Sequence, residues 1–334
     1  MNTLKKHFSQ TLVVVFLAVS PLSGQVAIDE QDQVLRQSLP STLPLKDGAF
    51  RLPELYDGEL EDVGPQFLLL REPPHQYFRI LGDLQYIRTS NVNLSSEDEV
   101  SSDILVATVE TSFFSRPVEM FEGEAFVEIA FRAQNFDYGA FTDSGRMANG
   151  AVINHNDFQA YNPFVRVHWE RDGWFAGVGF SYNHLRGQRP ERETFYREYV
   201  PSVRFGYNHE LTPRDWVVLQ YEGNYRETSA PTMGVVSDNW NNRTDQRLSV
   251  HYRKVVYDRI LVQPYYMFQF TEYTGGRDRR DYLNTVGIAG SYYVSDSFSV
   301  RAFANYDKRR STPSRTYDYT NTNAGLGLTA NARF

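Results

Sequence analysis

Residues 121–133 read FEGEAFVEIAFRA, and the spacing of their apolar residues distinguishes a strand from a helix. The odd positions are apolar or small, while the even positions carry Glu122, Glu124, Glu128 and Arg132. Alternate side chains of an extended chain point to opposite faces, whereas a helix would mix the two sets. The segment is therefore predicted to be a β-strand with one apolar face and one charged face.

The same alternation of apolar and polar residues continues from about residue 77 to the C-terminus. A tilted strand needs roughly 9–11 residues to cross a bilayer, and each repeat of the pattern is at least that long. Twelve strands are predicted, at residues 77–89, 103–115, 121–134, 157–170, 173–185, 194–208, 215–228, 245–257, 259–273, 281–294, 297–309 and 322–334.

The connections between these strands alternate between short and long. Residues 171–173 and 257–259 form short turns, whereas residues 90–102 and 136–156 form long polar loops. Short turns on the periplasmic side and long loops outside are typical of outer-membrane barrels. An even strand count also places both ends of the chain on one side, so the N- and C-termini are predicted to be periplasmic.

The composition agrees with a membrane protein built from strands. Aromatic residues make up 15% of the 334 residues, yet mean hydropathy is −0.49. The longest apolar stretch is residues 12–19, which is shorter than the roughly 20 residues of a membrane-spanning helix. A transmembrane strand needs an apolar residue only at every second position. The predicted fold class is therefore all-β, an antiparallel up-and-down transmembrane barrel.

Charge and cysteine content exclude several other kinds of protein. The chain has no cysteine, which rules out disulfides, thiolate metal sites and a lipoprotein anchor. A formal net charge of −7 gives no sign of nucleic-acid binding. We predict no cofactor, no metal site and no nucleic-acid partner.

The first 74 residues differ from the rest of the chain. Residues 1–24 combine the basic Lys5 and Lys6 with an apolar core and a small-residue exit, which predicts a cleaved signal peptide. Residues 25–74 are acidic, contain several prolines and show no sustained period, which predicts a periplasmic N-terminal extension. Residues 75–334 are assigned to the barrel.

The last strand, residues 323–334 (NAGLGLTANARF), places Leu328 and Phe334 on one face and Thr329 and Asn331 on the other. This strand resembles the C-terminal signal of Gram-negative outer-membrane β-barrels, and the chain resembles a generic β-barrel porin family. The resemblance implies export to the outer membrane and contact with its lipid and lipopolysaccharide. It also implies that the barrel assembly machinery recognises the strand ending at Phe334.

A soluble β-sandwich would alternate in the same way, because one face of each sheet is turned towards its core. Strands of soluble proteins usually have only about five or six residues, and the strands predicted here are longer. Trp169, Trp174 and Trp216 lie near predicted strand ends, as in the aromatic girdles of membrane proteins. Both features favour a membrane barrel.

If the apolar face meets lipid, the polar face lines the barrel interior. Porins can separate acidic and basic walls and so create a transverse field that selects solutes. Alternatively, the charges pair and fill the lumen, since buried charges must be paired or hydrated. A twelve-strand barrel is intermediate in width, so both arrangements remain open. The predicted lumen residues are Glu122, Glu124, Glu128, Arg132, Arg166, His168, Arg204, Glu222, Arg226, Arg247, His251, Arg253 and Arg301.

Three functions are compatible with such a barrel. The first is a passive porin-like channel for small polar solutes. The second is a structural barrel with a plugged lumen that docks a periplasmic partner. The third is a lipid-modifying enzyme, for which Ser249 and His251 are the candidate pair. Both should face the lumen without an evident oxyanion partner, so we expect no enzymatic activity.

Overall fold

The computed structural model describes residues 76–92, 94, 96, 99–141, 157–187, 194–229, 241–275, 278–313 and 317–334. The predicted signal peptide and periplasmic extension lie outside these residues. No helix within the described residues is long and apolar enough to cross a membrane.

Twelve long strands and one short one form the fold. The short strand, β3, pairs only with β4. The other twelve confirm the predicted strands, with ends that agree to within four residues. The strands are β1 Phe78–Thr89, β2 Ser102–Phe114, β3 Val118–Met120, β4 Gly123–Tyr138, β5 Phe158–Arg171, β6 Trp174–Gly187, β7 Thr194–Thr212, β8 Asp215–Ser229, β9 Arg243–Val256, β10 Ile260–Tyr273, β11 Arg280–Ser295, β12 Phe298–Thr312 and β13 Tyr319–Arg333.

The sheet closes on itself because the last strand pairs with the first. Each long strand is antiparallel to its neighbours, and β13 pairs with β1 over eleven residue pairs. At the seam, the Phe78 N–H donates to the Phe334 carbonyl at 3.1 Å, and the Phe334 N–H donates to the Phe78 carbonyl at 2.9 Å. Closure leaves none of the twelve long strands with an unpaired edge, as a membrane barrel requires. The closed antiparallel barrel is thus confirmed.

Both ends of the described chain lie at the end of the barrel that carries the short turns, which we call the turn end. The opposite end, with the longer connections, is called the loop end. The short turns include residues 172–173 and 213–214. That the turn end is periplasmic remains a prediction.

The two faces of the wall differ sharply in composition. On β4, Glu128, Ala130 and Arg132 are buried, whereas Ile129 is 54% exposed and Phe131 is 46% exposed. The other long strands repeat this alternation, so large apolar side chains cover the outer surface. A continuous apolar exterior suits lipid, and in water it would promote aggregation.

One aromatic residue does not follow the predicted girdle. Trp216 is buried inside the barrel against Val218 and Leu261. It begins β8 in the inward-facing phase of the alternation, so the expectation that it lies at the membrane interface is wrong. Trp174 at the same end is 54% exposed, in agreement with a girdle.

Several large interior side chains lie across glycines of the neighbouring strand. Phe303 is directly opposite Gly325, and Tyr265 is directly opposite Gly287. A Cβ added at Gly325 would come within 2.5 Å of the Phe303 ring and of the Tyr86 carbonyl oxygen. The missing side chain therefore lets the ring lie flat against the wall.

Replacing Gly325 by alanine should lower the free energy of unfolding by roughly 1–3 kcal/mol, the usual cost of overpacking. The matched control is Gly82→Ala, because a Cβ at Gly82 meets nothing within 4 Å. Urea unfolding in lipid vesicles measures both variants. Equal free energies of unfolding for the two variants would contradict the close packing of Phe303 against Gly325.

Candidate functional site: the charged barrel interior

Most of the predicted lumen residues share the interior face. Glu124 has the same orientation as Glu128 but lies at the turn end, where it is exposed. The residues that are buried or half-buried inside the barrel are Glu128, Arg132, Arg166, His168, Arg204, Glu222, Arg226, Arg247, His251, Arg253 and Arg301.

Glu122 does not lie in the interior. Phe121 and Glu122 have φ angles of 54° and 60° and form the turn that precedes β4. The strand alternation therefore starts only at Gly123. The Glu122 side chain is 77% exposed and pairs with Arg171 at 2.5 Å, outside the barrel wall.

Glu128 is at the centre of one interior network. Its carboxylate contacts Arg79 at 3.3 Å, His168 Nε2 at 3.0 Å and Arg166 at 3.8 Å. His168 Nδ1 contacts Nη2 of Arg204. Because a guanidinium can only donate, Nδ1 accepts and Nε2 carries the proton that is donated to Glu128. His168 is thus held as the neutral Nε2–H tautomer.

Arg79 extends this network to a second carboxylate. It contacts Glu110 at 2.7 Å, and Arg132 contacts the other oxygen of Glu110 at 2.7 Å. Consecutive contacts therefore join side chains from β1, β2, β4, β5 and β7. Arg79 contacts both Glu110 and Glu128, so it ties β1 to β4, which is not its neighbour in the sheet.

A second network lies nearer the loop end. Arg226 and Arg243 are directly opposite each other on β8 and β9. Two carboxylates offset this like-charge pair: Asp245 contacts Arg226 at 2.7 Å and Arg243 at 3.3 Å. Glu198 contacts the same two arginines at 3.1 Å and 3.8 Å. All four side chains are at most 7% exposed.

A third contact is made beside the β1–β13 seam. Arg301 on β12 reaches Asp83 on β1 at 2.5 Å. To do so it crosses Gly327 on β13, where an added Cβ would approach Arg301 Nη2 to 2.9 Å. Thr329 donates a further hydrogen bond to Asp83 at 2.7 Å.

Several acidic and basic groups form pairs between neighbouring strands of the wall. Adjacent strands place Glu110 opposite Arg132, Glu128 opposite Arg166, and Arg204 opposite Glu222. These pairs do not form the separate acidic and basic walls of the first arrangement considered above. The structure shows the second arrangement considered above, in which the charges pair.

The interior arginines differ in how far they are exposed. The side chains of Arg166 and Arg247 are 17% and 13% exposed, compared with 4% for Arg132 and 3% for Arg301. A small cavity lies beside this region. Its polar and small lining residues are Arg166, Gly177, Gly179, Ser202, Arg204 and Glu222.

The interior near the loop end is apolar over one part of the wall. Val92, from the connection after β1, packs there and donates its N–H to the Val100 carbonyl at 2.8 Å. This cluster was not predicted from the sequence, because apolar interior residues break the assumed rule of a polar lumen. Its members are Val92, Ile104, Val106, Phe136, Tyr138, Phe158, Ala160, Leu185 and Tyr196.

Ser249 and His251 form a hydrogen-bonded pair in the interior. His251 Nε2 lies 3.0 Å from the Ser249 hydroxyl, and Gln263 Nε2 lies 3.3 Å from His251 Nδ1. In a hydrolytic triad a carboxylate takes this place beside Nδ1. With the Gln263 amide donating, His251 carries its proton on Nε2 and donates to Ser249, opposite to what a general base requires.

Several interior charges were missed by the sequence analysis: Arg79, Asp83, Glu110, Glu198, Arg243, Asp245 and Asp281. The available signal was the alternation itself. Glu110 shares its buried face with Thr108 and Ser112, and Asp83 shares its buried face with Gln85.

Comparisons with known proteins agree with this architecture. An outer-membrane channel from Pseudomonas putida F1 is similar with a TM-score of 0.52 and 9% identity, covering 80% of this chain and 100% of that one. This chain has the fold of an outer-membrane β-barrel. Two further barrels are less similar. The β domain of the Bordetella autotransporter BrkA has a TM-score of 0.43 and 15% identity, over 75% of this chain and 98% of that chain. The KdgM porin has a TM-score of 0.39 and 9% identity over the same shares.

The sequence itself has no such counterpart. No family model matches the chain, and no curated protein matches it. At these identities the structural likeness concerns the fold alone.

Removing Asp245 should destabilise the barrel strongly, because Arg226 and Arg243 would lose a shared counter-charge in a buried site. Breaking a buried pair costs roughly 3–5 kcal/mol, so Asp245→Ala should lower the free energy of unfolding by about that amount. Glu272→Ala is the control, since its pair with Arg280 is exposed and worth about 0–1 kcal/mol. A small decrease in the free energy of unfolding for Asp245→Ala, measured with urea, would show that the barrel does not depend on this network.

Proposed function

We propose that the chain is located in the outer membrane of a Gram-negative bacterium and acts as a porin-like passive channel for small polar solutes. The observation that carries the proposal is the partly exposed charged patch that includes Arg166 and Arg247. The fold, which is similar to that of an outer-membrane channel, supports it.

The networks restrict what such a passage would admit. Side chains that reach across neighbouring strands, such as Arg79 and Arg301, narrow the space inside the wall. A solute passing through would exchange part of its hydration for contacts with wall charges. The passage would therefore favour small, polar solutes over large or apolar ones.

The outer face and the last strand of the barrel indicate which molecules it would contact. The apolar exterior would contact outer-membrane lipid, and basic residues at the loop end would pair with lipopolysaccharide phosphates. Arg280, which begins β11 at this end, is exposed. Phe334 is 65% exposed at the end of the barrel, where it would be available to the assembly machinery.

A second candidate is a structural barrel whose lumen does not conduct and which docks a periplasmic partner. The apolar interior cluster favours it, because nine buried residues occupy the interior near the loop end. Residues 25–74 would then hold the partner. The expectation that the chain is not an enzyme remains a prediction.

Planar-bilayer recordings should show stepwise conductance from the purified, refolded protein. Phe136→Ala should increase the size of each step, because Phe136 is 1% exposed within the apolar cluster and its loss would widen the passage. Gel mobility before and after boiling confirms that each sample is folded. Folded protein that produces no steps would favour the structural barrel.

A further inference from the structure

We propose that the outer face of β6 and β7 at the loop end binds the phosphates of lipopolysaccharide through Arg197 and Arg186. This inference deepens the lipid contact proposed above by naming its site. It rests on the proposed outer-membrane location, with the loop end facing outwards, and is independent of whether the lumen conducts.

An aromatic band crosses four neighbouring strands on this face. Neighbouring ring centroids in the band are between 5.0 Å and 6.4 Å apart. Such rings are enriched where a membrane protein passes from hydrocarbon to lipid headgroups. In spatial order from β4 to β7, the band consists of Phe131, Tyr161, His184, Tyr182, Tyr199 and Phe180.

A second pair of rings at the turn end gives the height of the apolar surface. Trp174 and Tyr207 have ring centroids 4.7 Å apart. Tyr199 lies eight positions from Tyr207 along β7, and the outward residues between them include the exposed Val203 and Phe205. Eight residues span about 26 Å along a strand, or roughly 20 Å across a membrane for a strand tilted by about 40°. This is close to the apolar band of about 25 Å in membrane barrels, so Tyr199 lies at its loop-end edge.

The arginines follow directly beyond that edge. Arg197 is the next outward residue after Tyr199, and it is exposed. Arg186 lies beyond Tyr182 on β6 and is also exposed. Between them, His184 is directly opposite Arg197. Both arginines are therefore at the depth of lipid headgroups, where a guanidinium fork can bind a phosphate with two hydrogen bonds.

The charge of this face is positive. On β6 and β7 and on their neighbours β5 and β8, Glu227 is the only acid among the described outward residues of the loop-end half. Glu227 is directly opposite Tyr199, one outward position away from the level of Arg197. Residues 188–193, which connect β6 to β7, contain two arginines and two glutamates and so add no net charge. The two outward arginines thus exceed the acidic charge by one.

Arg197 is also available to an external anion. Two other exposed arginines of the chain have acidic partners: Arg171 contacts Glu122 at 2.5 Å, and Arg280 contacts Glu272 at 3.0 Å. Arg197 forms no ion pair in the part of the chain that the structure describes. A phosphate at the headgroup level would supply the counter-charge without displacing a carboxylate.

Lipid A, the phosphate-bearing lipid of lipopolysaccharide, is the probe for the experiment. Native mass spectrometry of the folded protein in detergent measures its binding during a titration. A basic residue near a membrane surface contributes enough to change affinity about fivefold, so Arg197→Gln and Arg186→Gln should each weaken lipid A binding by about that factor. The double variant should weaken it roughly 25-fold if the two effects add. Arg197→Lys should lose less than Arg197→Gln, because it keeps the charge.

Arg171→Gln is the matched control, since Arg171 is exposed at the turn end and already paired. Its affinity for lipid A should equal that of the original chain. Lipid A from which the phosphates have been removed should bind weakly, and equally to every variant. Gel mobility before and after boiling checks that each variant is folded.

Equal lipid A binding in all the arginine variants would overturn the inference. Phosphatidylglycerol that binds the original chain as tightly as lipid A would also overturn it, because the face would then select any anionic lipid. Lipid A binding that depends on Arg197 and Arg186, without conductance steps in planar bilayers, would support the surface and refute the channel. Conductance steps together with equal lipid A binding in all variants would do the reverse.

Discussion

The requirement that every backbone N–H and C=O group be hydrogen-bonded within the wall governs this molecule. Lipid offers these groups no partner, so a sheet can cross a membrane only as a closed barrel. The pairing of β13 with β1, completed by the reciprocal bonds of Phe78 and Phe334, meets that requirement. Closure also fixes an inside and an outside, and every side chain must then suit one of them.

Closure of the wall also determines how the side chains of the interior interact. Every second residue of each strand points into the interior, where a charge must be paired or hydrated. Adjacent strands supply the partners, as with Glu110 and Arg132, and Arg79 and Arg301 extend the pairing across strands. Glycines on β6 and β13 make room for these long side chains, and on β6 they leave a cavity beside Arg166.

Period-two alternation and turn length are local properties, and they were sufficient to predict the twelve strands and the facing of most charged residues. Glu122 was misplaced because two left-handed turn residues interrupt the alternation just before β4. Trp216 was misplaced because nearness to a strand end does not determine which face a residue occupies. The partners of Glu128 were not predictable, since they depend on the register between strands that are distant in sequence. The apolar cluster around Phe136 was missed because apolar residues were assumed to face lipid.

The wall separates lipid from a charged interior at every second residue, and two adjacent positions test this arrangement. The chain has no cysteine, so single substitutions can be labelled without background. Val203 is 49% exposed on the outer face, and its neighbour Ser202 lines the interior cavity. In lipid vesicles, a spin label at Val203→Cys should relax mainly through collisions with dissolved oxygen, which concentrates in lipid, whereas a label at Ser202→Cys should be shielded from it. Equal oxygen accessibility at the two positions, or the reverse order, would contradict the account.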